Sequence, residues 1–279
     1  MSKLQSPVLG VGVLCALLLA GQPGAAEARQ EPVAVKQTTG GQATDAVTLA
    51  MTAKVGDTVR YRTTIKLDIG TDQIVLELTS KQIIKEVKDN QDTVLRVESE
   101  KGYMTVGGME NELPAGAPTT VTANRFNQIL DFKPEREDNP NLTPSTQHLM
   151  AFVSGVLFPD KPVKAGDSWT TEPDNPQVKD KKVTIKTTFV GLETFEGAPA
   201  WKVKQTLTAD TELQGSKMTS EMTALLDPAT GQIIDAKLSV KGMPGPQGAM
   251  DWTGTMARLK ATKTEVEKTE KPAPAPATP

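Results

Sequence analysis

A regular alternation of apolar and polar residues most constrains how this chain can fold. From Val59 to Ile69 nearly every second residue is apolar or aromatic, and the residues between them are polar or charged. A period of two predicts a strand with one buried face and one solvated face. Similar runs recur to Met256, separated by short turns, and they predict roughly ten to twelve strands. Because the turns are short, neighbouring strands should be antiparallel.

The order of turns and strands also repeats along the chain. Three pairs of segments match in the same order and at a nearly constant offset: 54–58 with 164–168, 94–97 with 200–203, and 127–133 with 231–237. They predict two similar halves, at about 47–133 and 164–261. Gly56 and Gly166 suit turns that need a positive φ, and the aspartate after each can accept bonds from nearby amides. We therefore interpret these residues as turn architecture rather than as a binding motif.

One segment between the halves breaks the alternation and predicts a helix over about 144–158. Five apolar residues fall on one face at helical spacing: Leu149, Phe152, Val153, Val156 and Leu157. Thr143 or Ser145 can cap its start, and Pro159 ends it. The predicted fold is therefore mainly β, a large curved antiparallel half-barrel with this helix on its concave face. Burial of the five side chains would contribute roughly 7–15 kcal/mol at about 1.5–3 kcal/mol each.

A resemblance to known families adds to this prediction. Residues 158–169, FPDKPVKAGDSW, are similar to a KxGDSW signature of exported bacterial domains of unknown function. A long antiparallel sheet that curls around a helix resembles the lipoprotein-carrier (LolA-like) half-barrel superfamily. The resemblance covers 47–261 as architecture only and carries over no functional residue. Independently of the resemblance, the long half-buried sheet and the apolar helix predict a concave apolar surface able to hold a lipid or acylated partner, lined by the five helix residues above.

The N-terminus is typical of an export signal. Lys3 supplies a positive charge, residues 8–20 are apolar, and small residues follow up to Ala28. We predict a signal peptide over 1–28, with cleavage after Ala26 or, preferably, after Ala28. The apolar run is shorter than the roughly 20 residues of a spanning helix, so no membrane span is expected after cleavage, and an uncleaved anchor is the alternative. The predicted location is the periplasm, the cell envelope or the extracellular space.

The remaining segments leave one domain without disulfides. Cys15 is the only cysteine and lies inside the apolar run after Leu14, so we interpret it as part of the signal rather than as a lipidation site. Residues 29–46 lack an apolar period and predict a disordered linker. Residues 262–279 end in alternating Pro and Ala and predict a disordered, extended tail. A single β domain is expected over 47–261.

Few residues suggest chemistry, so we predict no catalytic residue, no metal site and no cofactor. His148 is the only histidine, which excludes a multi-histidine metal site, and we interpret it as a surface or capping residue. Glu135, Glu137 and Asp138 lack the spacing of a calcium loop and are expected to be solvated. A net charge of −3 and an aromatic content of 4% argue against nucleic-acid binding.

The leading hypothesis is a non-enzymatic, exported, monomeric protein that binds a lipid, an acylated partner or another apolar ligand between sheet and helix. The alternative is a structural or scaffolding envelope protein in which the helix fills the concavity and no ligand binds. A third, less favoured hypothesis is a hydrolase that uses two buried carboxylates in opposed environments.

Overall fold

The computed structural model describes residues 45–69, 72–135, 143–213, 215–245 and 248–260, and their regular structure is twelve strands and one helix. The strands are β1 (Thr58–Ile69), β2 (Asp72–Val87), β3 (Thr93–Val106), β4 (Met109–Leu113), β5 (Thr119–Ala123), β6 (Ile129–Pro134), β7 (Ser168–Thr171), β8 (Thr184–Phe195), β9 (Ala198–Asp210), β10 (Lys217–Leu226), β11 (Ile233–Gly245) and β12 (Gly248–Arg258). Helix α1 (Pro144–Ser154) lies between β6 and β7 in the chain. The predicted signal peptide, most of the predicted linker and the predicted tail lie outside the described residues.

All twelve strands belong to one antiparallel sheet. Its order is β6-β5-β3-β2-β1-β12-β11-β10-β9-β8-β7, and β4 pairs with the C-terminal part of β3. The sheet is curved and open rather than closed into a barrel. The predicted fold class, a mainly β half-barrel with one helix, is confirmed.

Two irregular segments of the first half stay within the sheet. β3 is continuous from Thr93 to Val106, and its pairing with β2 shifts register between Leu78 and Ser80. β4 lies within the Gly/Pro-rich segment 107–118 and pairs with β3.

The alternating apolar and polar residues of the sequence lie on opposite faces of the sheet. In β9 the inward side chains of Val203, Leu207 and Ala209 are buried, whereas the outward Lys204 and Thr206 are exposed. The same alternation recurs in β8 and β10. The buried faces form one continuous apolar core that includes α1.

Helix α1 ends at Ser154, four residues before its predicted end at 158. Its start is as predicted, because the Thr143 Oγ1 accepts a bond of 3.2 Å from the Thr146 N–H. Gly155 has extended backbone angles, φ −100° and ψ 146°, and the chain runs on without helical structure to Phe158. Glycine is costly inside a helix, and the Phe158 N–H donates to the Phe126 carbonyl at 2.9 Å, which favours the extended path.

A segment before β1 closes one end of the core, and we call residues 47–53 the strap. Val47 and Val163 exchange two backbone bonds of 2.8 Å. The Met51 N–H donates to Arg125 in the β5–β6 turn at 2.9 Å, and the Thr52 N–H donates to Thr230 in the β10–β11 turn at 3.1 Å. Leu49, inside the strap, is fully buried. The strap therefore ties together the turns of both halves of the sheet.

The two matched glycine turns have the same geometry. Gly56 and Gly166 both have φ +92°. In each turn the first lysine N–H donates to the aspartate Oδ2 at 2.8 Å, Lys54 to Asp57 and Lys164 to Asp167. β1 and β7 begin directly after these turns, as the sequence match implies.

The other two matched pairs of segments also occupy corresponding places in the sheet, but one pair aligns with a shift of two residues. Asn127 and Gly231 both have positive φ, 61° and 74°, in the β5–β6 and β10–β11 turns. Ile84 and Phe189, which bond to the two glycine turns, pair with Leu95 and Val203. Leu95 therefore corresponds to Val203, two residues away from the match read in the sequence. These geometries support the proposal that the halves are two copies of one unit.

The chain continues differently after β6 in the first half than after β11 in the second half. In the second half β12 follows β11 and pairs with both β11 and β1. In the first half α1 follows β6, and the segment 144–158 contacts β6 through His148 and β7 through Leu157. The segment 144–158 therefore contacts both edge strands of the open sheet, whereas β12 joins β11 to β1 by hydrogen bonds within the sheet.

We predict that Gly231→Ala destabilises the fold more than Gly197→Ala. Both glycines have positive φ, so each alanine introduces strain of about 1–2 kcal/mol. A Cβ on Gly231 would lie 2.4 Å from the Ala50 carbonyl oxygen of the strap, whereas a Cβ on Gly197 meets nothing within 4 Å. Overpacking should add about 1–3 kcal/mol at Gly231 alone. Urea unfolding measures the difference, and equal losses would show that the strap does not constrain this turn.

Candidate functional site

The five predicted ligand-lining residues are enclosed by protein. Their exposed fractions are 1% for Leu149, 3% for Phe152, 0% for Val153, 1% for Val156 and 2% for Leu157. A side chain that lined a cavity wide enough for a lipid would retain surface open to a water-sized sphere. These side chains retain almost none, so in this structure they pack into the core. Val156 and Leu157 do so from the extended segment that follows α1.

A single glutamine satisfies the backbone where α1 ends inside the core. Carbonyls at a helix C-terminus have no partner within the helix and are costly when buried. Gln205, which projects inward from β9 and is 2% exposed, donates from Nε2 to the Gly155 carbonyl at 2.8 Å and to Phe152 at 3.4 Å. Its Oε1 accepts from the Leu157 N–H at 3.4 Å and from Thr187 Oγ1 at 3.1 Å. The buried end of α1 is thereby hydrogen-bonded to the sheet.

Two further side chains bind the extended segment after α1. Asn127 Nδ2 donates to the Val156 carbonyl at 3.0 Å, and the Trp169 indole N–H donates to the Leu157 carbonyl at 2.9 Å. Neither contact could be predicted from the spacing of residues in the sequence. Asn127 comes from the β5–β6 turn and Trp169 from β7. The segment is therefore held from both edges of the open sheet.

The sequence predicted His148 to be a surface or capping residue, but it is half-buried and Thr143 caps the helix instead. Its ring stacks on Phe132 of β6, with centroids 5.7 Å apart and planes at 13°, and it contacts Phe152 at 5.0 Å. Its Nε2 is buried and has no hydrogen-bond partner among the described residues. Burial lowers the pKa of His148 below its ordinary value. Burial without a partner costs the charged imidazolium more than the neutral ring, and a cation–π contact with phenylalanine returns only about 0.5–1 kcal/mol, so the neutral form is favoured.

A second group of polar side chains lies near the strap. Tyr61 Oη, Ser80 Oγ and Gln232 Nε2 are buried and lack partners within the part of the chain that the structure describes. Arg258 closes this group toward solvent, with its Nη1 3.0 Å from Asp227 Oδ2. Burial raises the pKa of Tyr61, so the phenol stays neutral. The three atoms have almost no accessible surface, so no ligand can reach them without movement of the sheet.

The edge strand β6 is protected against pairing with another strand. The Glu135 N–H donates toward β5, so alternation directs the Phe132 and Pro134 backbone groups outward. Proline has no N–H, and the Phe132 N–H already donates to Asp131 Oδ1 at 3.1 Å. The Lys133 ammonium holds the pKa of Asp131 below its ordinary value, which keeps that acceptor ionised. This edge therefore offers few free donors to an incoming strand.

The described residues contain no group of three or more His, Cys, Asp or Glu that could hold a metal ion. Of the acidic loop considered above, Glu135 pairs with Arg96, while Glu137 and Asp138 lie outside the described residues. Within the same coverage, none of the helical structure is both long and apolar enough to cross a membrane.

Comparison with known proteins adds little to this geometry. No protein-family model and no curated protein matches the chain. Among solved structures, a hypothetical lipoprotein YmcC from Escherichia coli (K12) is 13% identical, with a TM-score of 0.25, over 72% of this chain and 86% of that one. DynF from the dynemicin biosynthesis pathway of Micromonospora chersina is 9% identical, with a TM-score of 0.20, over 82% and 92%. Likenesses this low support no inference about binding or location.

We predict that Gln205→Leu destabilises the protein by about 2–4 kcal/mol, because it leaves the Gly155 carbonyl and the Leu157 N–H buried without a partner. The matched control is Thr206→Val, one residue along β9 on the exposed face, which should change stability by less than about 0.5 kcal/mol. Urea or thermal unfolding measures both. A loss for Gln205→Leu no greater than for the control would show that the end of α1 does not depend on this side chain.

Proposed function

We propose that this chain is a non-enzymatic, exported envelope protein with a filled core, which acts as a structural or scaffolding element rather than as a ligand carrier. The observation that carries the proposal is the burial of the five apolar residues of segment 149–157, each at most 3% exposed. The helix occupies the concavity that a ligand would need. Export rests on the N-terminal sequence, with its short positive region, apolar run and small residues.

The distribution of reactive groups supports a role without catalysis. The chain has one histidine and one cysteine, and Cys15 lies in the predicted signal peptide. None of the aspartates and glutamates whose burial the structure describes is buried. A carboxylate hydrolase would need two close carboxylates in opposed environments, one of them with a raised pKa. Burial raises the pKa of Asp235, but the charge that acts on it is the cation of Lys237 rather than a second carboxylate.

A second function, binding of a lipid or acyl chain, is favoured by one feature of the core. Buried methionines are prominent on the inner face of the sheet, in the core that also includes α1: Met218, Met222, Met243 and Met256, all at most 3% exposed. Methionine is unbranched and polarisable, so it can repack around different apolar shapes. If α1 moved away, this surface could hold an apolar ligand. The second function therefore requires displacement of α1, whereas the first requires that α1 stay in place.

Titration of delipidated protein with a fluorescent fatty acid distinguishes the two functions. We expect no saturable binding, because α1 fills the concavity. Saturable binding that unlabelled fatty acid displaces would contradict the filled core and favour the second function. Leu192→Ser serves as the control, because Leu192 is 55% exposed and could adsorb the probe at the surface. Binding that this variant abolishes would be assigned to the surface and not to the concavity.

A further inference from the structure

We propose that acid loosens helix α1 from the edge strand β6 through His148, so that α1 acts as a pH-sensitive closure of the sheet's open side. This inference goes beyond the proposed function and does not depend on any ligand. It rests on the position of the only histidine in the chain at the contact between helix and edge strand.

The geometry gives His148 a role at this contact that no other titratable group shares. Its ring contacts both Phe132 of β6 and Phe152 of α1, with centroids 5.7 Å and 5.0 Å away. A protonated imidazole must place a donor on Nε2, which is buried and unpartnered among the described residues. Docking of α1 on β6 therefore favours the neutral ring.

No charged group in the described structure compensates the protonated ring. Helix α1 carries no acidic or basic residue other than His148. On β6, Asp131 and Lys133 pair with each other. Near the start of α1, the loop after β7 contributes the neutral Gln177, which donates to Thr146 Oγ1 at 2.9 Å. Burial is the sole cause that lowers the pKa of His148, and no charge opposes it.

The sign of the effect follows from this pKa. When α1 is released, His148 is solvated and titrates near 6.5, whereas the docked ring takes up its proton only at lower pH. Below about 6.5 the released form therefore binds more protons, and its population rises by up to about tenfold for each pH unit. Loosening should begin in the first turns, because Gln205 and Asn127 hold the segment after Ser154.

Hydrogen exchange of the full exported chain tests the proposal. Between pH 7.5 and pH 5.0, after correction for intrinsic rates, we expect the α1 amides to lose protection by up to about tenfold per pH unit below 6.5. Amides of β9 and β10 should keep theirs, and His148→Phe and His148→Gln should each abolish the pH dependence in α1. The inference is overturned if wild-type α1 shows no change, if β9 and β10 lose protection equally, or if a folded variant keeps the dependence.

Discussion

Burial of α1 and the segment after it against the inner face of the curved sheet is the interaction on which the rest of the structure depends. An open sheet with one apolar face must cover that face, and the described structure has one helix with which to do so. Covering it also brings the end of α1 and the extended segment after it into the core, where their carbonyls need partners. Gln205, Asn127 and Trp169 supply them, each from a different part of the sheet. Apolar burial and hydrogen bonding therefore stabilise the same docked position.

The two halves of the sheet resemble each other in their turns and hairpins but differ in the element that follows their last hairpin. Equivalent glycine turns begin β1 and β7, and equivalent hairpins join β5 to β6 and β10 to β11. The second half then adds β12, which continues the sheet, while the first adds α1, which covers the core. The edge strand β6 is blocked by Pro134 and by the Asp131 side chain, so it does not invite a further strand. A helix can cover the core here without bonding to that edge, because its own backbone is already satisfied.

Much of the fold could be predicted from the sequence because its cause is local. The alternation of apolar and polar residues in β1 and β9 determines which face of each strand is buried. Gly56 and Gly166 mark turns with positive φ, a conformation that glycine adopts without strain. The end of α1 was predicted four residues too late, because the apolar spacing continues through Val156 and Leu157 although the helix does not. The spacing of apolar residues indicates which side chains are buried, and Val156 and Leu157 remain buried although the backbone there is extended.

The candidate site was less predictable because its contacts are distant in sequence. Gln205 lies about fifty residues from the carbonyls it binds, and in the sequence it is one polar residue in an alternating strand. From the sequence, His148 is interpreted as a surface or capping residue near the start of a helix. Its contact with Phe132 depends on where β6 lies in the folded sheet. Local pattern identified the segment 144–158 as central, but whether its apolar face lines a cavity or fills one depends on how far the sheet closes around it.

Xenon binding followed by NMR of side-chain methyl groups tests the filled core most directly, since xenon enters dry apolar cavities. The account predicts no saturable xenon-induced shifts for the methyl groups of Leu149 and Val153 on α1 or of Leu207 on β9, because these side chains are at most 1% exposed. Saturable shifts shared by helix and sheet methyls would show a cavity between them and would contradict the account.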